Sequence, residues 1–175
     1  MTKVINLIGA PGVGKSTLMA MIFVKLKQRN IKCEMVQEWV KKLIWTGDTS
    51  IISNQHYIIT EQYRAIAELV GKVDYIVLDT SLVNYIYYNR TSAENICNVE
   101  KTEKYAIDLL NSLENIFVFV KRNPDYLFEN EGRIHTETQS VTIEREMFEL
   151  VHANLQNVLY FNDNLDDLVN GILQL

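Results

Sequence analysis

Cysteine, proline and glycine are all scarce in this chain, and each scarcity closes off a class of protein. The two cysteines, Cys33 and Cys97, stand alone, with neither the paired spacing of a zinc site nor the density of a disulfide scaffold. They read as ordinary thiols in a reducing cytoplasm. Two prolines and seven glycines in 175 residues leave no candidate linker, and no repeat or low-complexity stretch interrupts the chain. No run of about 18 apolar residues occurs, and no charged-then-apolar leader precedes the alternating segment Lys3 to Ile8, so neither membrane insertion nor export is expected. Positive charge is in deficit too. Seventeen Lys and Arg against 22 Asp and Glu give a net charge of −5, which argues against a broad basic face for nucleic-acid phosphates while leaving room for a local basic pocket.

What is present suits one compact domain over 1–175, because 47% hydrophobic residues at this length fill one core and not two. Segments 3–9, 32–37, 73–79, 116–120 and 157–162 are rich in Val, Ile, Leu, Phe and Tyr and read as buried strands. Between them apolar residues recur at helical spacing. Leu18, Met19, Ile22 and Leu26 follow the first strand, with Asn30 ending that helix. Ile59, Tyr63, Ile66 and Val70 form a stripe within 53–71, with Ser53 as N-cap and Gly71 as stop. Further helices are expected near 38–46, 101–113, 140–155 and 164–174. The alternation predicts an α/β fold with a mostly parallel sheet covered on both faces. In such sheets ligands sit beyond the C-terminal strand ends.

The first of those ends carries the strongest motif. Gly9, Ala10, Pro11, Gly12, Val13, Gly14, Lys15, Ser16 and Thr17 match the P-loop spacing of glycine, four residues, glycine, lysine and serine or threonine. Glycines let backbone N–H groups ring a phosphate, Lys15 can reach the β- and γ-phosphates, and the Ser16 hydroxyl is placed for Mg²⁺. The helix starting at Lys15 points its positive end at the anion. The predicted ligand is therefore ATP with Mg²⁺.

Two acids follow other strands. Asp79 ends the apolar run Tyr75–Leu78, as a carboxylate organising Mg²⁺ would, although a turn or N-cap role before Ser81 is the alternative. Glu38 follows Cys33–Gln37 and is a candidate base or acceptor ligand, or else a cap for the helix after it. Trp39, Trp45 and Tyr57 suit either stacking on a base or core packing. After the fourth strand the polar stretch 121–140 reads as a lid, with Arg122 and Arg133 placed to neutralise charge on a migrating phosphoryl group. Arg145 falls in the following helix, and His56 and His135 read as ordinary polar residues.

With these residues in view, the chain resembles small P-loop kinases of the nucleoside and nucleotide kinase group. It is especially similar to AAA ATP-binding domains of the nicotinamide riboside kinase type and to phage-encoded nucleotide or 5-hydroxymethyluracil DNA kinases. GAPGVGKST at 9–17, QEWVKKL at 37–43, NQHYIITEQYR at 54–64, DYIVLDTS at 74–81 and FVKRNPDYLFENEGRIHTE at 119–137 carry the likeness. The resemblance implies a five-stranded sheet in the order 2-3-1-4-5, Mg·ATP as donor and a closing lid. It also implies that Glu38 and Asp79 stand near the acceptor and the metal, that Arg64 lines the acceptor pocket and that Arg122 and Arg133 belong to the lid; Trp39 is added as an acceptor contact for its ring. Related deoxynucleoside kinases carry proline at the position of Trp39 and arginine at that of Thr80. The expected activity is transfer of the γ-phosphate to a nucleoside, a nucleotide or a modified base in DNA, in the cytoplasm or, for a phage enzyme, the host cytoplasm. The acidic balance favours a small acceptor. A small ATPase coupling hydrolysis to a partner is the rival reading. A regulatory GTPase is disfavoured, because Lys121-Arg122-Asn123-Pro124 and Asp79-Thr80-Ser81-Leu82 fit neither its guanine reader nor its switch.

Overall fold

The computed structural model describes residues 1–125, 127–129, 131 and 134–175. Lys3–Ile8 (β1) is buried from Val4 onward, as a strand with neighbours on both sides and helices on both faces must be. Tyr75–Leu78 (β3) is buried throughout. Cys33–Val36 (β2), Glu114–Val120 (β4) and Leu159–Phe161 (β5) complete a five-stranded sheet. Its order is β2-β3-β1-β4-β5, and each pairing is parallel. Ile5 sits opposite both Val77 and Ile116, which puts β1 at the centre and its C-terminal end, where the P-loop begins, between the ends of β3 and β4. The order implied by the kinase resemblance is the order observed.

Helices fill the connections: Lys15–Gln28 (α1), Trp39–Thr46 (α2), Gln55–Ala67 (α3), Leu82–Thr91 (α4), Val99–Asn111 (α5), Glu137–Asn154 (α6) and Leu165–Gln174 (α7). α1 turns Leu18, Met19, Ile22 and Leu26 into the core, the stripe read from sequence. α7 packs against α1, while α4 lies among α3, α5 and α6. None of the described helices is long and apolar enough to cross a membrane.

Three expectations shift. Asn54, not Ser53, caps α3, its side chain accepting from the Tyr57 N–H at 3.0 Å. Residues 137–140, expected in the lid, form the first turn of α6, held by a capping box between Thr136 and Gln139. Helix α4 was not anticipated, because seven of its ten residues are buried and a helix apolar on nearly all sides shows no stripe.

Candidate active site

The loop from Gly9 to Gly14 leaves the centre of the sheet and turns directly into α1. Close approach fixes Gly9, where a Cβ would lie 2.6 Å from the Val120 carbonyl oxygen. At Gly12 φ is +78° and a Cβ would fall 2.5 Å from the Phe128 ring. No side chain caps α1, whose N-cap is Gly14, so the helix start presents backbone N–H groups and positive dipole to the loop's interior. The Lys15 ammonium folds back over the loop, donating to the carbonyls of Gly9 at 2.9 Å and Ala10 at 2.7 Å. A further hydrogen bond, from Asn84 of α4 to the Gly9 carbonyl at 2.9 Å, braces the loop from beneath.

Asp79 faces this cradle. The turn after β3 is fastened to β1, since the Ser81 hydroxyl donates to Asn6 at 3.0 Å and the Ser81 N–H to the Leu7 carbonyl at 3.3 Å. Capping of α4 falls to Ser81, which accepts from the Val83 N–H, so the carboxylate of Asp79 is spared that role. Instead it receives the Ser16 hydroxyl at 2.9 and 2.8 Å. A hydroxyl and a carboxylate beside a phosphate cradle are hard oxygen donors of the kind Mg²⁺ takes alongside phosphate oxygens, so the donor set fits that ion.

Glu38 stands at the N-cap of α2 but makes no side-chain cap bond. It lines the cleft instead. Burial pushes its carboxyl above the usual glutamate range; Asp79 adds to the rise, while Lys15, Lys41 and a hydrogen bond with Thr80 oppose it. The backbone on either side of Glu38 is held by one buried side chain. Gln62 of α3 accepts from the Trp39 N–H at 2.9 Å and donates to the Gln37 carbonyl at 3.4 Å.

Lys15, Ser16, Glu38 and Asp79 open onto a cleft of about 610 Å³. Its walls are Val40, Ile44 and Trp45 of α2, the tyrosines Tyr85, Tyr87 and Tyr88 of α4, and Gln139, Ile143 and Glu146 of α6. Burial raises the hydroxyl pKa of all three tyrosines, with Glu38 adding to the effect at Tyr85 and Tyr88, so each stays a neutral donor. The Tyr87 hydroxyl donates a hydrogen bond to the Glu146 carboxylate at 2.6 Å. Gln55, 4% exposed, also lines the cleft; its amide donates to the Ile52 carbonyl while its side-chain oxygen has no partner. His135 stacks on Tyr88 at the same wall, and burial lowers its pKa.

Several expected positions fall elsewhere. Arg64 lies on the outer side of α3, 65% exposed, paired with Glu61 and Glu68. The i,i+3 and i,i+4 spacing to those acids draws it outward, while Ile59, Gln62 and Ile66 take the inner face. Trp39 is not among the cleft residues; its ring packs edge-on against Tyr57 at 5.5 Å, and Trp45, two turns on, lines the cleft in its place. Arg122 is tied to the P-loop through α6 and is not among the residues lining the cleft. Its guanidinium donates to the Ser140 hydroxyl, which donates to the Pro11 carbonyl, and its own N–H reaches Glu144 at 2.8 Å. Arg133 lies outside the described residues.

Three groups escaped the sequence reading. Lys41, on the same side of α2 as Glu38, reaches the Ser16 hydroxyl at 3.2 Å; its spacing of three from Glu38 in a helix was the available signal. The tyrosines of α4 sit on a helix buried on nearly every side, which leaves no stripe to mark the face toward the site. Gln55 carried no signal at all.

A family model described as an AAA domain matches residues 4–161. The chain belongs to the AAA domain family. The match runs from the start of β1 to the end of β5 and includes the P-loop. No curated protein matches the sequence. Among solved structures, this AAA domain is similar to a deoxyadenosine kinase from M. mycoides, described with its products dCMP and a flexible dCDP bound, at a TM-score of 0.59 and 16% identity over 99% of this chain and 97% of the other. It is also similar to a mutant APS kinase from Mycobacterium tuberculosis, at a TM-score of 0.51 and 10% identity over 99% and 95% of the two chains. At these identities the likeness is one of fold.

Proposed function

We propose that this AAA domain is a kinase, working as one unit over 1–175, that transfers the γ-phosphate of ATP to a hydroxyl of a small nucleoside or nucleotide. One observation supports the reading: aromatic side chains, the acid Glu38 and the P-loop residues Lys15 and Ser16 line one cleft of about 610 Å³. A hydrolase needs room there only for water. The buried, unpartnered oxygen of Gln55 points the same way, since an aromatic base presenting an N–H would satisfy it. Nicotinamide riboside and hydroxymethylated bases in DNA are the further acceptors to test, from the sequence resemblance.

In this reading the loop N–H groups and Lys15 bind the triphosphate, and Ser16 with Asp79 would hold Mg²⁺. When bound, that ion neutralises charge on the β- and γ-phosphate oxygens. Glu38 orients the acceptor hydroxyl and takes its proton; a carboxyl raised by burial above the usual glutamate range is a stronger base than an exposed one. The tyrosines and Trp45 hold the acceptor's ring and exclude water. Arg122 stiffens the P-loop through Ser140 and Pro11 and is not itself in the cleft.

The test is ADP release from ATP and Mg²⁺ across nucleosides, mononucleotides, nicotinamide riboside and DNA with and without hydroxymethylated bases. ADP that appears with one acceptor class supports the kinase and names its substrate. Steady ADP without any acceptor would replace it with the ATPase reading.

A further inference from the structure

Lysine ammonium is strongly hydrated and ordinarily extends to solvent from a helix surface. Lys41 does not. Its Nζ lies 3.2 Å from the Ser16 hydroxyl, the same hydroxyl that donates to Asp79. It reaches that point from α2, and it borders both the main cleft and a second cavity of about 480 Å³ that shares Ser16, Glu38 and Asp79 with it. Lys15 donates to the carbonyls of Gly9 and Ala10, so the cleft receives one ammonium group from the P-loop and a second from α2.

We propose that Lys41 is a phosphate-contacting residue, binding the γ-phosphoryl oxygens beside Lys15. The inference rests on the nucleotide-binding part of the kinase reading. In the transfer itself the bond from the γ-phosphorus to the β–γ bridging oxygen breaks and its electron pair leaves on ADP. A bond forms from the acceptor hydroxyl oxygen to phosphorus, and the hydroxyl proton passes to the Glu38 carboxylate. Negative charge spreads over the three equatorial oxygens as this happens. Lys41 forms no covalent bond; it supplies positive charge from α2, beside that of Lys15, where charge develops on the transferring group. Were Ser16 to hold a metal ion, the Lys41 ammonium would remain beside the cleft, between the Glu38 carboxyl that it already acts on and the place of the phosphoryl oxygens.

The contact separates ATP from ADP, because only ATP carries the γ-phosphoryl group. Calorimetric titration of the full chain with ADP and with the non-hydrolysable imido analogue of ATP, both with Mg²⁺, reads it out. Lys41→Met is expected to weaken the analogue about tenfold, the scale of one charge-assisted hydrogen bond, and to leave ADP within about twofold. Lys41→Arg is expected to restore part of the difference, and in turnover Lys41→Met should lower kcat more than it raises KM. An unchanged ratio of analogue to ADP affinity overturns the proposal. So does tighter Mg²⁺-dependent binding in Lys41→Met, which would mean that the lysine only fills the metal's place. A wild-type chain that binds neither nucleotide sinks the contact and the kinase reading together. If ADP forms without an acceptor while the affinity ratio still shifts, the contact stands and the kinase reading fails.

Discussion

The Ser16 hydroxyl stands 2.8 and 2.9 Å from the two carboxylate oxygens of Asp79, joining the first turn of α1 to the end of β3. Sixty-three residues separate them in sequence, and the parallel pairing of β1 with β3 is what brings them together. A carboxylate used as a helix cap would satisfy a backbone N–H; this one meets a side chain that the P-loop pattern assigns to a metal. Asp79→Asn is therefore expected to raise the Mg²⁺ concentration needed for half-maximal rate by about 10- to 100-fold, with a smaller loss in nucleotide affinity. Mg²⁺ titrations of turnover check it. An Asn variant with unchanged metal dependence that melts well below wild type would make Asp79 a structural cap after all.

Lys15 donates to two loop carbonyls, those of Gly9 and Ala10, and lines the cleft. Lys15→Ala should lower kcat by about 10²–10³-fold, the scale of losing one preorganised charge contact, and leave stability within about 1 kcal/mol. Thermal melts beside steady-state rates measure both; full activity in this variant would refute the assignment of the loop.

The fold was legible because its two periodicities are clean. Alternation and apolar runs marked all five strands, and the stripe from Leu18 to Leu26 marked α1. The P-loop was legible because its function is written in backbone geometry, which only glycine at set spacings supplies. The acceptor side was not. Arg64 was assigned from a resemblance in layout and Trp39 from its aromatic ring, and their helical phase sends Arg64 to solvent and Trp39 against Tyr57. The walls that do face the cleft come from α4, whose burial on nearly every side hides its period, and from Lys41 and Gln55. Those two matter for where tertiary packing aims them, and no local pattern encodes that.

Glu38 ties stability to activity through its charge. Burial raises its carboxyl above the ordinary glutamate value of 4.5, so the folded state favours the protonated form. The sign follows: the associated stability is fully present below 4.5 and is lost as pH rises through the raised value. Glu38→Gln should accordingly melt higher than wild type at neutral pH, with the gap closing in acid. The same variant is expected to lose about 10²–10⁴-fold in kcat if the carboxylate is the base. Wild-type kcat should fall as pH drops through that raised value. A Gln variant that retains wild-type turnover would leave Glu38 as an acceptor ligand only.

Gln62 is fully buried and joins three elements around Glu38. Its side-chain oxygen accepts from the Trp39 N–H at 2.9 Å and from the Tyr85 hydroxyl at 3.3 Å, and its amide donates to the Gln37 carbonyl at 3.4 Å. Gln62→Leu keeps much of the volume and strands those partners in a low-dielectric interior, at a cost of about 1–3 kcal/mol. Since Gln37 and Trp39 flank the candidate base, the loosened backbone should also let the Glu38 carboxylate wander from the acceptor hydroxyl. A misplacement of about 1 Å can cost a hundredfold in rate, so kcat should drop while the affinity for ADP, bound at the P-loop on the other side of Glu38, holds. Denaturant melts, turnover and ADP titration on the one variant separate these effects. A fall in stability with kcat unchanged would mean that Gln62 fastens α2 to α3 without governing where Glu38 stands.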